Sequence, residues 1–421
     1  MLKRIFINRL DEKRLLFAAT LILAGGLWLA YKALLDRNTV SPVLPAVILA
    51  FSFWLTHFIL CIKDCRGDQL ILPLVFFLSG IGWIEVFRLE PALMMKQFYW
   101  ILLGLAVFVS WILLYRDYRW IEEFKYFSLL LAVILQVLVM IFGVEINNAR
   151  LWFKFGSVYF QPIEVVKILL VFFLAGYLRQ YKELLGSVPG QRRTFLNIKY
   201  LAPLILMLGA SLLILVYQKD MGMALLLFGT FLTLLYIATR RLDYILGGLS
   251  FFAAGAFLCS KLFYHVRVRV DMWLNPWQDL YDRGYQITQS LYAIASGGLF
   301  GTGLGLGSPG YIPAVHTDFV FASICEELGF LGGAAIILFY IFLIGRAFSS
   351  ALKAKDEFGQ LLGAGLAIIL ALQSFIIIAG VTRLIPMTGI TMPFVSYGGS
   401  SLLANFFMCA ILMQISDGAS R

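Results

Sequence analysis

The run MGMALLLFGTFLTLLYIA, residues 221–238, contains no charged residue. An α-helix needs about 20 apolar residues to cross about 30 Å of hydrocarbon, so this run predicts a membrane-spanning helix. Comparable, predominantly apolar runs occur along the whole chain. The twelve predicted spans are 14–35, 42–62, 70–88, 97–115, 124–144, 163–178, 200–217, 221–238, 242–263, 319–345, 360–384 and 398–415.

The composition supports the same conclusion. Of 421 residues, 61% are hydrophobic and 14% are charged, whereas soluble domains have about 45–50% and about 25%. The apolar runs are continuous, while the strands of a membrane barrel alternate at every second residue. The sequence therefore predicts an all-α, polytopic integral membrane helix bundle with about twelve transmembrane helices. The five cysteines form no CxxC pair, so neither a metal site nor a disulfide framework is expected.

The distribution of basic residues predicts the orientation in the membrane. An even number of spans places both termini on one side, and cytoplasmic loops carry an excess of Lys and Arg. The segment 1–14, alternate loops and the last residue together hold 21 of the 34 basic residues. We therefore expect both termini in the cytoplasm. This topology, with anionic membrane lipids as partners of the inner face, explains most of the net charge of +10, and nucleic acid is not an expected partner.

The long outer loop 264–318 is too long to be a simple connection. Within it, residues 286–295 predict a short amphipathic helix, because Ile287, Leu291 and Ile294 recur at helical spacing. The glycines that follow prevent its continuation. Such a segment lies on the membrane surface or re-enters the membrane, and a flexible linker is the alternative.

Charged residues at the outer ends of the predicted helices are the main functional signal, because a charge at mid-membrane costs at least about 2.5 kcal/mol. Glu164 and Lys167 share one helix face, so they form either a structural ion pair or the wall of a cavity that binds an anion. Asp220 and Asp318 each precede a helix, where capping is the simplest role. All four nevertheless lie at the outer boundary, on three different helices, which predicts that they converge in one site.

The last outer loop is a further candidate. It follows Arg383 and contains TGITMPFVSYGGSS, residues 388–401. Turns rich in glycine and hydroxyl groups expose backbone N–H groups and serine oxygens that suit a sugar or a diphosphate. A seam of small residues for helix packing is the alternative.

Taken together, these motifs resemble the SEDS family of RodA, FtsW and SpoVE. The matching residues are Asn148-Ala149-Arg150 with Trp152, Gln161-Pro162 with Glu164 and Lys167, Gln218 with Asp220 and Gly222, the run 289–301, His316 to Phe319 with Glu326-Glu327, and Pro393 with 396–401. The chain departs from the usual pattern at Ile163, Lys219, Met221 and Met223. The family core has ten helices, so 70–421 is expected to be the catalytic membrane domain, and 1–69 a cytoplasmic tail with two extra transmembrane helices.

The resemblance implies a peptidoglycan glycosyltransferase that polymerises lipid II at the outer face of the bacterial cytoplasmic (inner) membrane and releases undecaprenyl diphosphate. An acceptor sugar hydroxyl attacks the anomeric carbon of the donor, and we expect Asp318 to be the general base. The other catalytic residues expected are Glu164, Lys167 and Asp220. Residues expected to bind substrate are Arg150, Trp152, Gln161, His316, Thr317, Arg383, Ser396 and Ser400.

The resemblance also bears on cofactors and partners. No organic cofactor is expected, whereas a divalent cation, Mg²⁺ or Mn²⁺, is compatible with the chemistry. A class B penicillin-binding protein, a transpeptidase, is the expected protein partner. Two other functions stay open, a lipid II flippase and a non-catalytic morphogenesis scaffold. A transporter needs polar groups at mid-depth or on both faces, whereas here they gather on the outer one.

Overall fold

The structure, a computed structural model, describes residues 9–33, 41–115, 117–146, 149–156, 158–186 and 198–420. Residues 1–8 of the basic amino-terminal segment and Asn148 of the first family motif lie outside the described residues. Within the described ranges the chain forms fifteen α-helices, two 3-10 helices and three β-strands.

Most of the helices are long and apolar. In chain order they are α1 (Leu10–Ala33), α2 (Val43–Ile62), α3 (Ile71–Leu89), α4 (Pro91–Leu114), α5 (Trp120–Glu123), α6 (Lys125–Phe142), α7 (Ile163–Leu185), α8 (Ile198–Tyr217), α9 (Met221–Thr239), α10 (Leu242–Leu262), α11 (Tyr264–Leu274), α12 (Tyr285–Gly297), α13 (Val320–Lys353), α14 (Glu357–Val381) and α15 (Gly399–Ser420). The strands are β1 (Val144–Ile146), β2 (Ala149–Phe155) and β3 (Val158–Phe160), and the 3-10 helices are Pro276–Asp279 and Pro309–Tyr311.

Eleven of the described helices are long and apolar enough to cross a membrane, one fewer than predicted. The polytopic helix bundle is thus confirmed. The predicted span 163–178 is the exception. It is helical, as α7, but it carries charged residues near both ends, Glu164 and Lys167 near its start and Arg179 and Lys182 near its end.

The core of the bundle consists of helices that contact protein on every face, which explains why they are apolar all round. Helices α3, α7, α14 and α15 are buried over most of their length. Helix α14 packs against α13, α9 and α7, and α15 packs against α4. Helices α1, α2 and α10 expose large apolar side chains on the perimeter of the bundle, as lipid-facing helices do.

The two amino-terminal helices are firmly attached to this core. Helix α1 packs on α3, and α2 packs on α4. At the start of α1, buried Arg9 pairs with Glu12, whose Oε1 also lies 2.5 Å from Nδ1 of His57. Arg9 Nη1 donates to the carbonyl oxygens of Cys65 at 2.7 Å and Gly67 at 3.2 Å. These contacts, the Arg9 clamp, fix α1 relative to the loop between α2 and α3.

The segment between α6 and α7 is a small antiparallel sheet in the order β1-β2-β3, which the all-α prediction missed. Glu145 pairs with Arg150 across the first two strands, and Phe153 pairs with Phe160 across the last two. An alternating pattern needs about four to eight residues to be recognised. Two of these strands have only three residues, so the pattern did not reveal them.

The segment 264–318, predicted to be an outer loop, contains two α-helices and two 3-10 helices. The predicted amphipathic helix 286–295 is confirmed as α12, which packs against α13, whereas α11 was not predicted. The glycine-rich segment after α12 lies along α13 where that helix kinks at Gly329, which has a φ of 69°. The N–H of Gly303, for example, donates to the carbonyl oxygen of Glu327 at 3.0 Å. The loop is thus packed onto the bundle, and it is not a flexible linker.

Candidate active site

A cavity of about 150 Å³ opens between α11, α12, the start of α13 and the loop that follows α14. Its charged lining residues include Asp318 and Arg383, which the sequence analysis predicted. They also include Arg269 and Arg283, which it did not. One carboxylate and three guanidinium groups therefore meet in this space, which we call the Asp318 cavity.

Asp318 lies just before α13. Burial raises the pKa of its carboxyl to about 6, although the Thr317 hydroxyl and the positive charge of Arg269 act to lower it. A carboxylate with this pKa is ionised at neutral pH and is still a stronger base than an ordinary aspartate. It is suited to accept a proton from a hydroxyl group.

Asp220 is the N-cap of α9. Its Oδ1 accepts the N–H of Met223 at 3.0 Å, so the capping role is confirmed. Burial raises the pKa of Asp220 to about 6. The negative charge of Glu164 also acts to raise this pKa, whereas the positive charge of Arg269 acts to lower it. Asp220 also raises the pKa of Asp318. The predicted acids are thus close enough to influence one another electrostatically.

Glu164 and Lys167 form an ion pair on α7, with 2.5 Å between Oε2 and Nζ. Their side chains are 1% and 0% exposed. Lys167 also donates to Oε1 of Gln373 at 2.8 Å, and the amide of Gln373 donates to the carbonyl oxygen of Thr391 at 2.9 Å. Beyond the ion pair, neither carboxylate oxygen of Glu164 has a hydrogen-bond partner among the described residues. The pair is therefore tied to the loop 388–401, and Glu164 retains the capacity to accept hydrogen bonds.

The hydroxyl groups of the loop 388–401 brace its backbone. Ser396 Oγ accepts the N–H of Met392 at 2.9 Å, and Ser400 Oγ accepts the N–H of Gln161 at 2.9 Å. Both serines are buried. In this structure the predicted substrate-binding residues Ser396, Ser400 and Gln161 thus shape the loop and join it to the start of α7.

His316 and Thr317 form the turn that presents Asp318. The carbonyl oxygen of His316 accepts the N–H of Tyr397 at 2.9 Å, and Thr317 Oγ1 donates to the carbonyl oxygen of Ala314 at 3.0 Å. Burial lowers the pKa of His316, so its imidazole is neutral at neutral pH. Both residues precede Asp318 directly in the chain, and their contact with substrate stays a prediction.

Arg150 and Trp152 lie on β2. Arg150 Nε is 3.2 Å from Oε2 of Glu145, and its side chain is 54% exposed. The described lining of the Asp318 cavity includes neither Arg150 nor Trp152. Their positions follow from the small sheet, because strand pairing places Arg150 opposite Glu145.

Comparison with known proteins identifies the family. Residues 65–421 match the FtsW/RodA/SpoVE family model, described as cell cycle protein. The chain belongs to this family. The peptidoglycan glycosyltransferase RodA of Mycobacterium tuberculosis (strain ATCC 25618 / H37Rv) is 40% identical over 371 residues, which cover 84% of this chain and 79% of the relative. Stage V sporulation protein E of Bacillus subtilis (strain 168) is 33% identical and covers 84% of this chain and 98% of the relative.

Solved structures show the same SEDS fold. A chain from a peptidoglycan synthase complex, studied for the coordination of polymerization and crosslinking, aligns with a TM-score of 0.71 at 27% identity and covers 84% of this chain and 99% of that one. The rod shape determining protein RodA of Thermus thermophilus aligns with a TM-score of 0.60 at 25% identity, covering 84% and 98%. The family model begins at residue 65, after α2 has ended at Ile62.

Arg269 is the main residue of this SEDS site that the sequence analysis missed. Its Nη1 donates to the carbonyl oxygens of Met387 at 3.3 Å and Thr388 at 3.0 Å. A Cβ atom on Gly389 would lie 3.6 Å from Oδ2 of Asp318 and 4.0 Å from Nη2 of Arg269, so the glycine leaves the space between them open. One sequence signal could have identified it. Arg269 is a basic residue in the predicted outer loop 264–318, whereas the excess of Lys and Arg belongs to cytoplasmic loops.

Arginine accompanies the carboxylates of this SEDS site. The described part of the chain contains no group of three or more His, Cys, Asp or Glu side chains that could hold a metal ion. Arg269 instead acts on both Asp318 and Asp220.

Proposed function

We propose that this chain polymerises lipid II into glycan strands at the outer face of the cytoplasmic membrane and releases undecaprenyl diphosphate. The observation that carries this proposal is the Asp318 cavity, where a basic carboxylate and guanidinium groups meet at one end of a membrane bundle. Glycosyl transfer from a diphosphate requires a base for the attacking hydroxyl and cations for the leaving group. Family membership and the relatives named peptidoglycan glycosyltransferase support the same activity.

Asp318 acts as the general base in this proposal. Its carboxylate accepts the proton of the acceptor sugar 4-hydroxyl while the hydroxyl oxygen forms a bond to the anomeric carbon of the donor. The bond between that carbon and the diphosphate oxygen breaks, and the lipid diphosphate leaves. A pKa of about 6 keeps the group ionised and basic at neutral pH.

Arg269 and Arg383 neutralise the leaving diphosphate. Arg383 is held in place because its Nε donates to the carbonyl oxygen of Trp273 at 2.8 Å and its Nη2 donates to that of Leu274 at 2.8 Å. Fixed cationic donors in a shielded site stabilise developing negative charge without reorganising during the reaction. Arg150 and Trp152 on the small sheet stay predicted contacts for a more distant part of the substrate.

Three residues hold other parts of the site in position: Glu164, Lys167 and Asp220. Lys167 is held by Glu164 and by Gln373, which in turn contacts the loop 388–401. The unbonded oxygen of Glu164 is available to a substrate hydroxyl. We therefore assign these residues to orienting the loop and the donor sugar.

We also propose that α7 is the twelfth crossing and that both termini are cytoplasmic. The helix has 23 residues and is therefore about 35 Å long, enough to cross the hydrocarbon layer. Near the carboxyl end of α7, Arg179 pairs with Glu122 of α5, and Lys182 pairs with Glu357 at the start of α14. The catalytic domain is then 70–421, and 1–69 is an addition.

A class B penicillin-binding protein is the proposed partner. The similarity to a chain from a peptidoglycan synthase complex that coordinates polymerization and crosslinking supports this assignment. A divalent cation, Mg²⁺ or Mn²⁺, stays a prediction. Because Mg²⁺ is commonly held by one or two carboxylates plus substrate phosphates, the diphosphate of lipid II would supply most of its ligands.

The direct test uses the purified full-length chain and labelled lipid II, alone and with its cognate transpeptidase. We expect wild type to form glycan polymer and Asp318→Asn to lose about 100-fold or more of the rate, the usual contribution of a general base. Asp271→Asn, an exposed aspartate on α11, is the matched control and should retain the wild-type rate. Normal polymer from Asp318→Asn would refute the assignment of the base.

The same preparation separates the alternatives. Transfer of lipid II across vesicle membranes without polymer would indicate a flippase. The absence of both polymer and transfer, with the transpeptidase present, would indicate a scaffold. Addition of a chelator, followed by Mg²⁺ or Mn²⁺, tests the cation prediction.

A further inference from the structure

A second, wider cavity of about 600 Å³ lies between the start of α1, the loop from α2 to α3, and the ends of α13 and α15. We call it the inner-face cavity. From the kink at Gly329, α13 continues for 24 residues to Lys353, which is about 36 Å of helix. The inner-face cavity is thus on the opposite side of the bundle from the Asp318 cavity. Its charged lining residues are Asp11, Arg14, Arg66, Asp68, Arg346 and Lys353.

The lining carries an excess of positive charge. Asp68 neutralises Arg346, whose Nε donates to Oδ2 of Asp68 at 2.7 Å. Arg14 and Lys353 have no ion-pair partner within the described ranges. Both side chains are exposed, so they are available to an anion that enters the cavity.

The added helix α1 builds one wall of this cavity. Arg14 and Leu15 come from its second turn, while Lys353 comes from the SEDS part of the chain. The Arg9 clamp fixes the start of α1 against the loop from α2 to α3. Asp68 of the same loop accepts from Arg346 of α13, so both sides of the cavity are attached to this loop. A chain without α1 would lack the Arg14 side.

Apolar surface adjoins the charged lining. Leu15 and Leu70 line the cavity itself. Further along α1, Phe17 and Leu21 are each 58% exposed on the perimeter of the bundle. Basic pockets between membrane helices on the cytoplasmic side suit the head groups of anionic lipids, whose acyl chains need such apolar surface. A free phosphate would make no use of it.

We propose that the inner-face cavity binds the phosphate head group of an anionic membrane lipid, with Arg14 and Lys353 as its principal cations. This site gives the added helix α1 a role, because α1 supplies Arg14, one of its two principal cations. The site is independent of the glycosyltransferase activity. Its test therefore measures lipid binding, not polymer.

The experiment titrates the full-length chain, purified in neutral detergent, with phosphatidylglycerol and counts bound lipid by native mass spectrometry. Each basic residue near an anionic lipid contributes roughly five-fold in affinity, so Arg14→Gln/Lys353→Gln should bind about 25-fold more weakly. Lys63→Gln/Lys355→Gln removes the same charge from exposed lysines outside the described cavity lining and is the matched control, expected to bind like wild type.

Three results would overturn the proposal. The first is equal binding by the cavity variant and the control. The second is equally tight binding of phosphatidylcholine, which carries no net charge. The third is displacement of the lipid by inorganic phosphate at matched concentration, which would make the ligand a soluble anion. The thermal unfolding midpoints of Arg14→Gln/Lys353→Gln and of the single variant Lys353→Gln are measured as well. Midpoints equal to that of wild type show that the lost binding does not result from unfolding.

Discussion

At Asp318, burial competes with the charge of Arg269, and in the proposed mechanism this balance sets the pH dependence of the activity. The pKa of the carboxyl is raised from 3.8 to about 6, so below that pH the group is protonated and cannot accept a proton. We expect the initial polymerisation rate to fall about tenfold per unit as the pH drops below about 6. Asp220 titrates near the same pH, so the acid limb should be measured in Asp220→Asn as well. If Asp220→Asn shows no fall in rate at low pH, the titrating group is Asp220 and not Asp318.

Arg269 offers an independent test at the same scale. Its positive charge lowers the pKa of both Asp318 and Asp220. Removing it in Arg269→Gln should raise both pKa values and move the acid limb of the rate to higher pH, while Arg269→Lys should keep the limb near its wild-type position. Arg267→Gln, which alters an exposed arginine on the same helix, is the control. An unmoved acid limb in Arg269→Gln would show that this arginine does not act on the base.

At the scale of elements, variants of the ion pair of α7 distinguish a structural role of the pair from a catalytic one. Lys167→Met leaves buried Glu164 without its partner, which should cost about 3–5 kcal/mol of stability. The double variant Glu164→Gln/Lys167→Met removes both charges and should recover most of that loss in a thermal unfolding experiment. We expect its polymerisation to stay low because Lys167 also positions Gln373. Recovery of activity together with stability would show that the pair is only structural.

The glycine segment that follows α12 makes a second prediction about an element. Gly301 has a φ of 86°, and a Cβ there would lie 2.1 Å from the carbonyl oxygen of Glu327. The strained φ alone costs about 1–3 kcal/mol in Gly301→Ala, and the contact adds to it. Gly310→Ala introduces a methyl group with no atom within 4 Å and is the control. Equal unfolding midpoints for the two variants would mean that the packing of this segment on α13 does not stabilise the protein.

At the scale of the whole molecule, sequence patterns predicted the features that depend on residues close together in the sequence. Apolar runs gave the membrane helices, and helical spacing gave α12. Asp220, Asp318 and Glu164 were selected because they are charged residues next to or within predicted membrane spans, where such residues are rare. Arg269 and Gln373 were missed because their roles depend on contacts with residues distant in sequence, which no local period encodes. Their partners, the loop 388–401 and α7, come together only when α14 packs against its neighbours.

The number of crossings is the last property of the whole molecule that a simple measurement decides. If α7 crosses the membrane, its two ends face opposite sides. With Cys259 replaced by Ser, since the other described cysteines are buried, an impermeant maleimide applied to intact spheroplasts should label Lys154→Cys on the small sheet but label Gln180→Cys only after lysis. Tyr281→Cys, at a position that is 93% exposed, and Lys63→Cys are the outer and inner controls. Labelling of both Lys154→Cys and Gln180→Cys in intact cells would leave eleven crossings. It would also move one terminus to the outside, because an odd number of crossings separates the two ends of a chain.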